Sequence, residues 1–126
     1  MAVEVGAAEL LEGVADGGEI AEIALLSLPF ADDGEIALGP LSALLALPSP
    51  PRASVLAAIL GVAGTPRRSR EARDPEGAKR CAEVLLALVV DASRPREERA
   101  LALSAARALG EKGYVDRGRI PDEIAP

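Results

Sequence analysis

Two stretches of this chain, LSALLALPSPPR at residues 41–52 and LLALVVDASRPR at residues 85–96, are near copies of each other. They lie 44 residues apart and share identical residues at Leu41/Leu85, Ala43/Ala87, Leu44/Leu88, Ser49/Ser93, Pro51/Pro95 and Arg52/Arg96. Each has the form of a helix end, a turn that proline enforces, and the start of a second helix. A period of about 40–47 residues is typical of helix pairs that bury their apolar faces by stacking on a neighbouring pair. The repeat therefore predicts stacked antiparallel helix pairs.

Proline and glycine divide the whole chain into about six short helices, predicted near residues 5–14, 19–28, 36–47, 52–63, 76–90 and 95–109. Asp74 followed by Pro75 has the pattern of a helix N-cap and first turn. Phe30 and Tyr114 are the only aromatic residues, so the core must be built from Leu, Ala, Val and Ile. This composition favours an all-α fold of one domain, with a compact helical bundle as the alternative to a stack.

The second copy resembles a HEAT repeat, whose unit has Leu-rich and Ala-rich helices, Asp and Pro in the turn, Arg in the second helix and Gly at the end. The matching residues are Leu85, Leu86, Leu88, Asp91, Pro95, Arg99, Ala102, Ala105, Ala106, Leu109 and Gly110. The first copy keeps Pro40, Leu44, Leu45, Pro51, Leu60 and Gly61. It has Leu47 and Val55 in place of the turn Asp and the helix Arg.

This resemblance implies an α-solenoid that occupies residues 1–126 as a single domain. Residues 36–64 and 76–113 are the two clearest repeat copies, and residues 1–30 form a degenerate first helix pair. In HEAT stacks the turn Asp and the helix Arg contribute polar contacts between units. The resemblance therefore implies a structural inter-repeat role for Asp91 and Arg99.

Several chemistries are excluded by the residue types that the chain lacks. Histidine is absent and Cys81 is the only cysteine, which excludes an internal disulfide, His/Cys zinc sites, and Ser-His-Asp or Cys-His catalysis. Cys81 lies in the apolar run CAEVLLALVV and is predicted to be a buried hydrophobe. The turn at residues 32–35 is interpreted as a polar turn without a metal. We expect no enzymatic activity and no cofactor.

Charge is divided unevenly along the chain, whose net charge is −6. Residues 1–51 contain nine acids and no Lys or Arg, whereas residues 52–126 contain all 14 basic residues against 11 acids. The segment TPRRSREARD and nearby helix positions supply the predicted partner-binding residues: Arg67, Arg68, Arg70, Arg73, Lys79, Arg80, Arg96 and Arg107. These arginines would dock a protein with an acidic surface. A solvated linker is the alternative interpretation of the segment.

The expected function is that of a non-enzymatic protein–protein interaction module, such as a small adaptor, scaffold or regulatory subunit. The resemblance leaves two alternatives, a nucleic-acid-binding HEAT-like domain and a lyase-related HEAT-like protein. The acidic balance of the chain and the lack of aromatic residues in the segment TPRRSREARD disfavour nucleic acid as a partner. An acidic N-terminus, a lone cysteine and the lack of a long apolar run predict a cytoplasmic protein without a membrane anchor.

The end of the chain suggests a further contact. Residues 120–124 resemble the first turn of another repeat, which leads us to expect an uncovered apolar face on the helix near residues 96–109. Together with the charge asymmetry, such a face would permit head-to-tail self-association.

Overall fold

A computed structural model describes residues 6–31, 33–47, 52–65 and 74–124, and within these ranges the chain is helical without any β-strand. The six α-helices are α1 (Ala7–Asp16), α2 (Gly18–Ser27), α3 (Leu38–Leu44), α4 (Arg52–Gly64), α5 (Pro75–Val89) and α6 (Arg96–Glu111). Short 3₁₀-helices occupy Leu28–Phe30, Gly34–Ala37 and Arg117–Arg119. The predicted all-α class and the number of helices are confirmed. The third helix is shorter than predicted, because residues 36–37 belong to the 3₁₀-helix at Gly34–Ala37 and residues 45–47 form a turn after Leu44.

Local sequence signals explain where the longest helices begin and end. Asp74 Oδ1 accepts a hydrogen bond of 3.0 Å from the backbone N–H of Gly77, and Pro75 occupies the first position of α5. After α6, Gly113 has a φ of 85°, a conformation that glycine adopts without steric cost. The N–H of Gly113 donates to the carbonyl of Gly110, and that of Tyr114 donates to Leu109, which completes a Schellman motif.

The helices form hairpins that pack side by side. Helix α2 packs on α4 and α4 on α6, while α3 packs on α5, and α1 contacts the 3₁₀-helix that precedes α3. The helix pairs α3–α4 and α5–α6 are the two sequence copies, and their equivalent helices are neighbours in space. This packing is compatible with a helical repeat.

One apolar core is shared by all six helices. Its largest fully buried side chains are Leu25, Leu28, Leu38, Leu41, Leu56, Ile59, Leu85 and Leu109. Burial of each such side chain contributes roughly 1.5–3 kcal/mol to folding. Small residues at Ala102, Ala105 and Ala106 are also fully buried, which lets α6 approach its neighbours closely.

The segment that follows α6 covers the face that we expected to be uncovered. Val115, Ile120 and Ile124 pack against the core, and a Cβ built at Gly110 would lie only 2.9 Å from Cδ1 of Ile120. A guanidinium nitrogen of Arg107 also donates to the backbone carbonyl of Asp122. The chain therefore covers this part of α6 itself, and that argument for head-to-tail self-association is lost. None of the helices that the structure describes is both long and apolar enough to cross a membrane.

Candidate functional site

The basic residues predicted to bind a partner do not form one patch among the described residues. Arg67, Arg68, Arg70 and Arg73 lie outside the residues that the structure describes. Lys79 and Arg80 are exposed near the start of α5, whereas Arg96 is exposed at the start of α6, beyond the other end of α5. The eleven residues from Lys79 to Val89, the end of α5, span about 15 Å. Arg107 is exposed but is tied to the backbone of Asp122.

The two residues that the HEAT resemblance assigns to inter-repeat contacts make local hydrogen bonds in the turn before α6. Asp91 Oδ1 accepts from the backbone N–H of Ser93 at 3.0 Å and from its hydroxyl at 2.6 Å. The hydroxyl bond is the main cause that lowers the pKa of Asp91. The Nε–H of Arg99, whose side chain is buried, donates to the carbonyl of Arg94 at 3.1 Å.

Glu98 provides a polar contact between the two repeat copies. One carboxylate oxygen accepts a 2.8 Å hydrogen bond from Nε of Arg94, and the other accepts a 3.1 Å bond from the same guanidinium. That second oxygen lies 3.2 Å from Nε of Arg52 on α4, an ion pair without hydrogen-bond alignment. The hydrogen bond from Arg94 is the largest cause that lowers the pKa of Glu98. The i, i+4 spacing of Arg94 and Glu98 was the one sequence signal that could have indicated this pair.

A second polar cluster is buried where α4 ends. The hydroxyl of Tyr114 donates to Oε1 of Glu35 at 2.7 Å, and Nζ of Lys112 lies 4.0 Å from the same oxygen. The Lys112 ammonium also donates to the carbonyls of Val62 and Thr65, at 3.2 and 2.7 Å. These bonds satisfy carbonyls at the C-terminus of α4, so the cluster holds the fold together.

Asp33 in the acidic turn and Cys81 both have structural surroundings, while Asp32 lies outside the described residues. Oδ1 of Asp33 accepts the backbone N–H of Ala7 at 2.8 Å and so fixes the start of α1. In the ranges that the structure describes, no three acidic or Cys side chains are grouped to hold a metal ion. Cys81 is fully buried, as predicted, and burial raises the pKa of its thiol to about 12.

An exposed apolar stripe runs along α2. Ile20, Ile23 and Leu26 are 59%, 64% and 71% exposed, and their spacing of three residues places them within an arc of about 120° on the helix. We call these three residues the outer stripe. Helix α2 buries Ala21, Ala24 and Leu25 on its opposite side, so it is apolar on both faces while only one is covered. Adjacent large apolar side chains in solvent are typical of interaction sites.

A groove between α2 and α4 extends this apolar surface. Its volume is about 420 Å³. Its lining residues are Glu22, Leu25, Leu26, Pro29, Ala53, Ser54, Ala57 and Ala58. Leu26 therefore belongs to both the outer stripe and the groove. The alanines of α4 keep the groove open because they present only a methyl group to it.

Acidic side chains surround the outer stripe. Glu22 is exposed on α2 beside the stripe, and Glu19 is exposed on the same side of α2 as the stripe, just before Ile20. Glu9, Glu12 and Asp16 are exposed along one side of α1. Helix α1 adjoins the stripe, because a Cβ built at Gly13, between Glu12 and Asp16 in the sequence, would lie 3.6 Å from Cγ2 of Ile20. No Lys or Arg occurs in residues 1–51 to offset these charges. The surface of the α1–α2 hairpin is thus an apolar stripe with acidic margins.

Sequence reasoning missed the outer stripe because α2 is apolar around most of its circumference. A periodic pattern shows which face of a helix is buried only when the other face is polar. The chain matches no protein-family model, no curated protein and no solved structure.

Proposed function

We propose that this chain is a HEAT-like, non-enzymatic protein–protein interaction module whose docking surface is the outer face of the α1–α2 hairpin. The observation that carries the proposal is the outer stripe, three large apolar side chains that each expose more than half of their surface. Burying such side chains against a partner contributes a favourable free energy of about 25 cal/mol for each Å² of apolar surface removed from water. A scaffold, adaptor or regulatory subunit needs such a surface and no reactive group.

The arrangement of the fold supports this proposal. In a stack of helix hairpins, the packed interior side chains determine the fold, and side chains on the outer surface can differ without changing it. The outer stripe lies on the first described hairpin, and the core beneath it is complete without these three residues. Substitutions in the stripe are therefore compatible with folding.

Docking of an acidic partner by the basic residues stays a separate prediction. Lys79 and Arg80 are exposed and adjacent, which fits such a contact. The four arginines between them and α4 lie outside the described residues, so the apolar stripe is the stronger basis for a proposal.

Affinity enrichment from cells that make the chain naturally tests the proposed function. The bait is the wild-type chain, the stripe variant Ile20→Ser/Ile23→Ser/Leu26→Ser, or the control Val90→Ser, which changes a side chain that is 69% exposed elsewhere. We expect wild type and the control to retain a common protein that the stripe variant loses. Equal retention of every protein by all three baits would refute this docking surface. Unchanged thermal unfolding of the stripe variant confirms that it is folded.

A further inference from the structure

We propose that the outer stripe binds a cationic amphipathic α-helix of another protein. This inference rests on the proposed function and specifies the chemistry of the partner. The combination of an apolar stripe with acidic margins is complementary to a helix that carries apolar side chains on one face and Lys or Arg beside them.

The dimensions of the site suit a helix. The outer stripe from Ile20 to Leu26 spans about 9 Å along α2, close to the distance of about 10.5 Å between apolar anchors at positions i and i+7 of a partner helix. The groove beside Leu26 accepts an anchor between α2 and α4, where Ala53 and Ala57 leave room. The partner helix would lie along α2, over the outer stripe.

The carboxylates around the outer stripe determine which residues should lie beside the apolar anchors of the partner helix. Glu9, Glu12 and Asp16 are exposed on α1, the helix that adjoins the stripe at Ile20, and Glu22 borders the stripe on the side of the groove. Glu19 lies between the two margins. A partner helix with basic residues on both sides of its apolar face would meet a carboxylate on either margin, and an acidic helix would be repelled.

A second copy of this chain fits the site less well. Two copies paired through α2 would bring their acidic margins together without any Lys or Arg in residues 1–51. A head-to-tail pair would place the basic half of one copy on the stripe. Within the described residues after Leu47, however, Val90 is the only exposed large apolar side chain, so that half lacks a matching apolar face.

A fluorescent peptide binding assay tests this inference. The probe is a 16-residue peptide with Leu at i, i+3, i+4 and i+7 positions and Lys at the others. One control peptide carries Glu in place of each Lys, and another has the same composition in an order without helical periodicity. We expect only the first peptide to bind the wild-type chain measurably, with an affinity that weakens as salt is raised.

Two charge variants distinguish local complementarity from attraction by net charge. The margin variant is Glu12→Gln/Glu19→Gln/Glu22→Gln, and the distant variant is Glu76→Gln/Glu97→Gln/Glu123→Gln, all at exposed positions. Each changes the net charge from −6 by the same three units. We expect the margin variant to bind the Lys peptide roughly tenfold more weakly and the distant variant to stay within about twofold of wild type. The stripe variant should lose at least about tenfold.

Several results would overturn the inference. Equal weakening by both charge variants would mean that net charge alone attracts the peptide, and binding of the Glu peptide as tight as that of the Lys peptide would exclude a cationic partner. A stripe-dependent dimer in sedimentation equilibrium would make a second copy the occupant.

If enrichment finds a stripe-dependent protein that the Lys peptide does not displace, the proposed function stands and this inference fails. If no enriched protein depends on the stripe, both fail.

Discussion

Replacing Glu98 with Gln removes the charge that holds two arginines at the contact between α4 and α6. The carboxylate forms two hydrogen bonds with Arg94 and an ion pair with Arg52, and its side chain is only 12% exposed. Hydrogen bonds to charged groups contribute about 1.5–3 kcal/mol each when they are shielded from water. Gln keeps one acceptor oxygen and Arg94 is partly exposed, so we expect Glu98→Gln to lower the free energy of unfolding by about 2 kcal/mol.

Urea unfolding followed by circular dichroism at pH 7 measures this loss of stability. In thermal unfolding, the same loss should lower the Tm of a chain of this size by roughly 8 °C. The matched control is Glu97→Gln at the neighbouring position. Glu97 is exposed and also lies in the first turn of α6, so the control removes the same favourable charge near the helix N-terminus. We expect the control to change stability by less than about 0.5 kcal/mol.

The pH dependence provides the sharper test. The pKa of Glu98 lies below its ordinary value of 4.5, chiefly because of the hydrogen bond from Arg94. A carboxylate with a lowered pKa stabilises the folded state fully above its unfolded pKa, and this contribution is lost as pH falls through the folded value. The difference in stability between wild type and Glu98→Gln should therefore be largest at neutral pH and decrease below pH 4.5. A difference that is equal at pH 7 and pH 3, or no larger than that of Glu97→Gln, would contradict the reasoning.

Three further predictions follow from individual contacts. Tyr114→Phe removes the hydroxyl that donates to Glu35 and should cost about 1.5 kcal/mol in urea unfolding; an unchanged midpoint would contradict the role of this bond. Gly61→Ala should cost about 1–3 kcal/mol because the new Cβ would lie 2.6 Å from a proline ring carbon, while Gly64→Ala, with open space, should be neutral or stabilising. Cys81 should react with a thiol reagent at pH 8 only after unfolding in urea; rapid reaction of the folded chain would refute its burial.

Those parts of the fold that depend on neighbours in the sequence could be predicted. The prolines and glycines between apolar runs placed all six helices, and Asp74 marked the start of α5 correctly. The 44-residue repeat identified the two helix pairs whose equivalent helices are neighbours, α3 with α5 and α4 with α6. These signals are local or periodic, which is why a single sequence reveals them.

Contacts between distant residues could not be predicted in the same way. Glu35 and Tyr114 are 79 residues apart, and no sequence pattern connects them. The sequence also did not show which face of α2 stays uncovered, because Ile20 and Leu25 are similar in hydrophobicity and only the packing on α4 distinguishes them. The candidate site was missed for this reason.

Mapping of peptide contacts by nuclear magnetic resonance tests the central claim most directly. Backbone amide shifts of the ¹⁵N-labelled chain would be recorded during titration with the Lys peptide. We expect the largest shifts within residues 9–26, around the outer stripe and its acidic margins, and at Ala53 and Ala57 across the groove. Largest shifts on α5 and α6, or small shifts spread evenly over the chain, would contradict the docking surface.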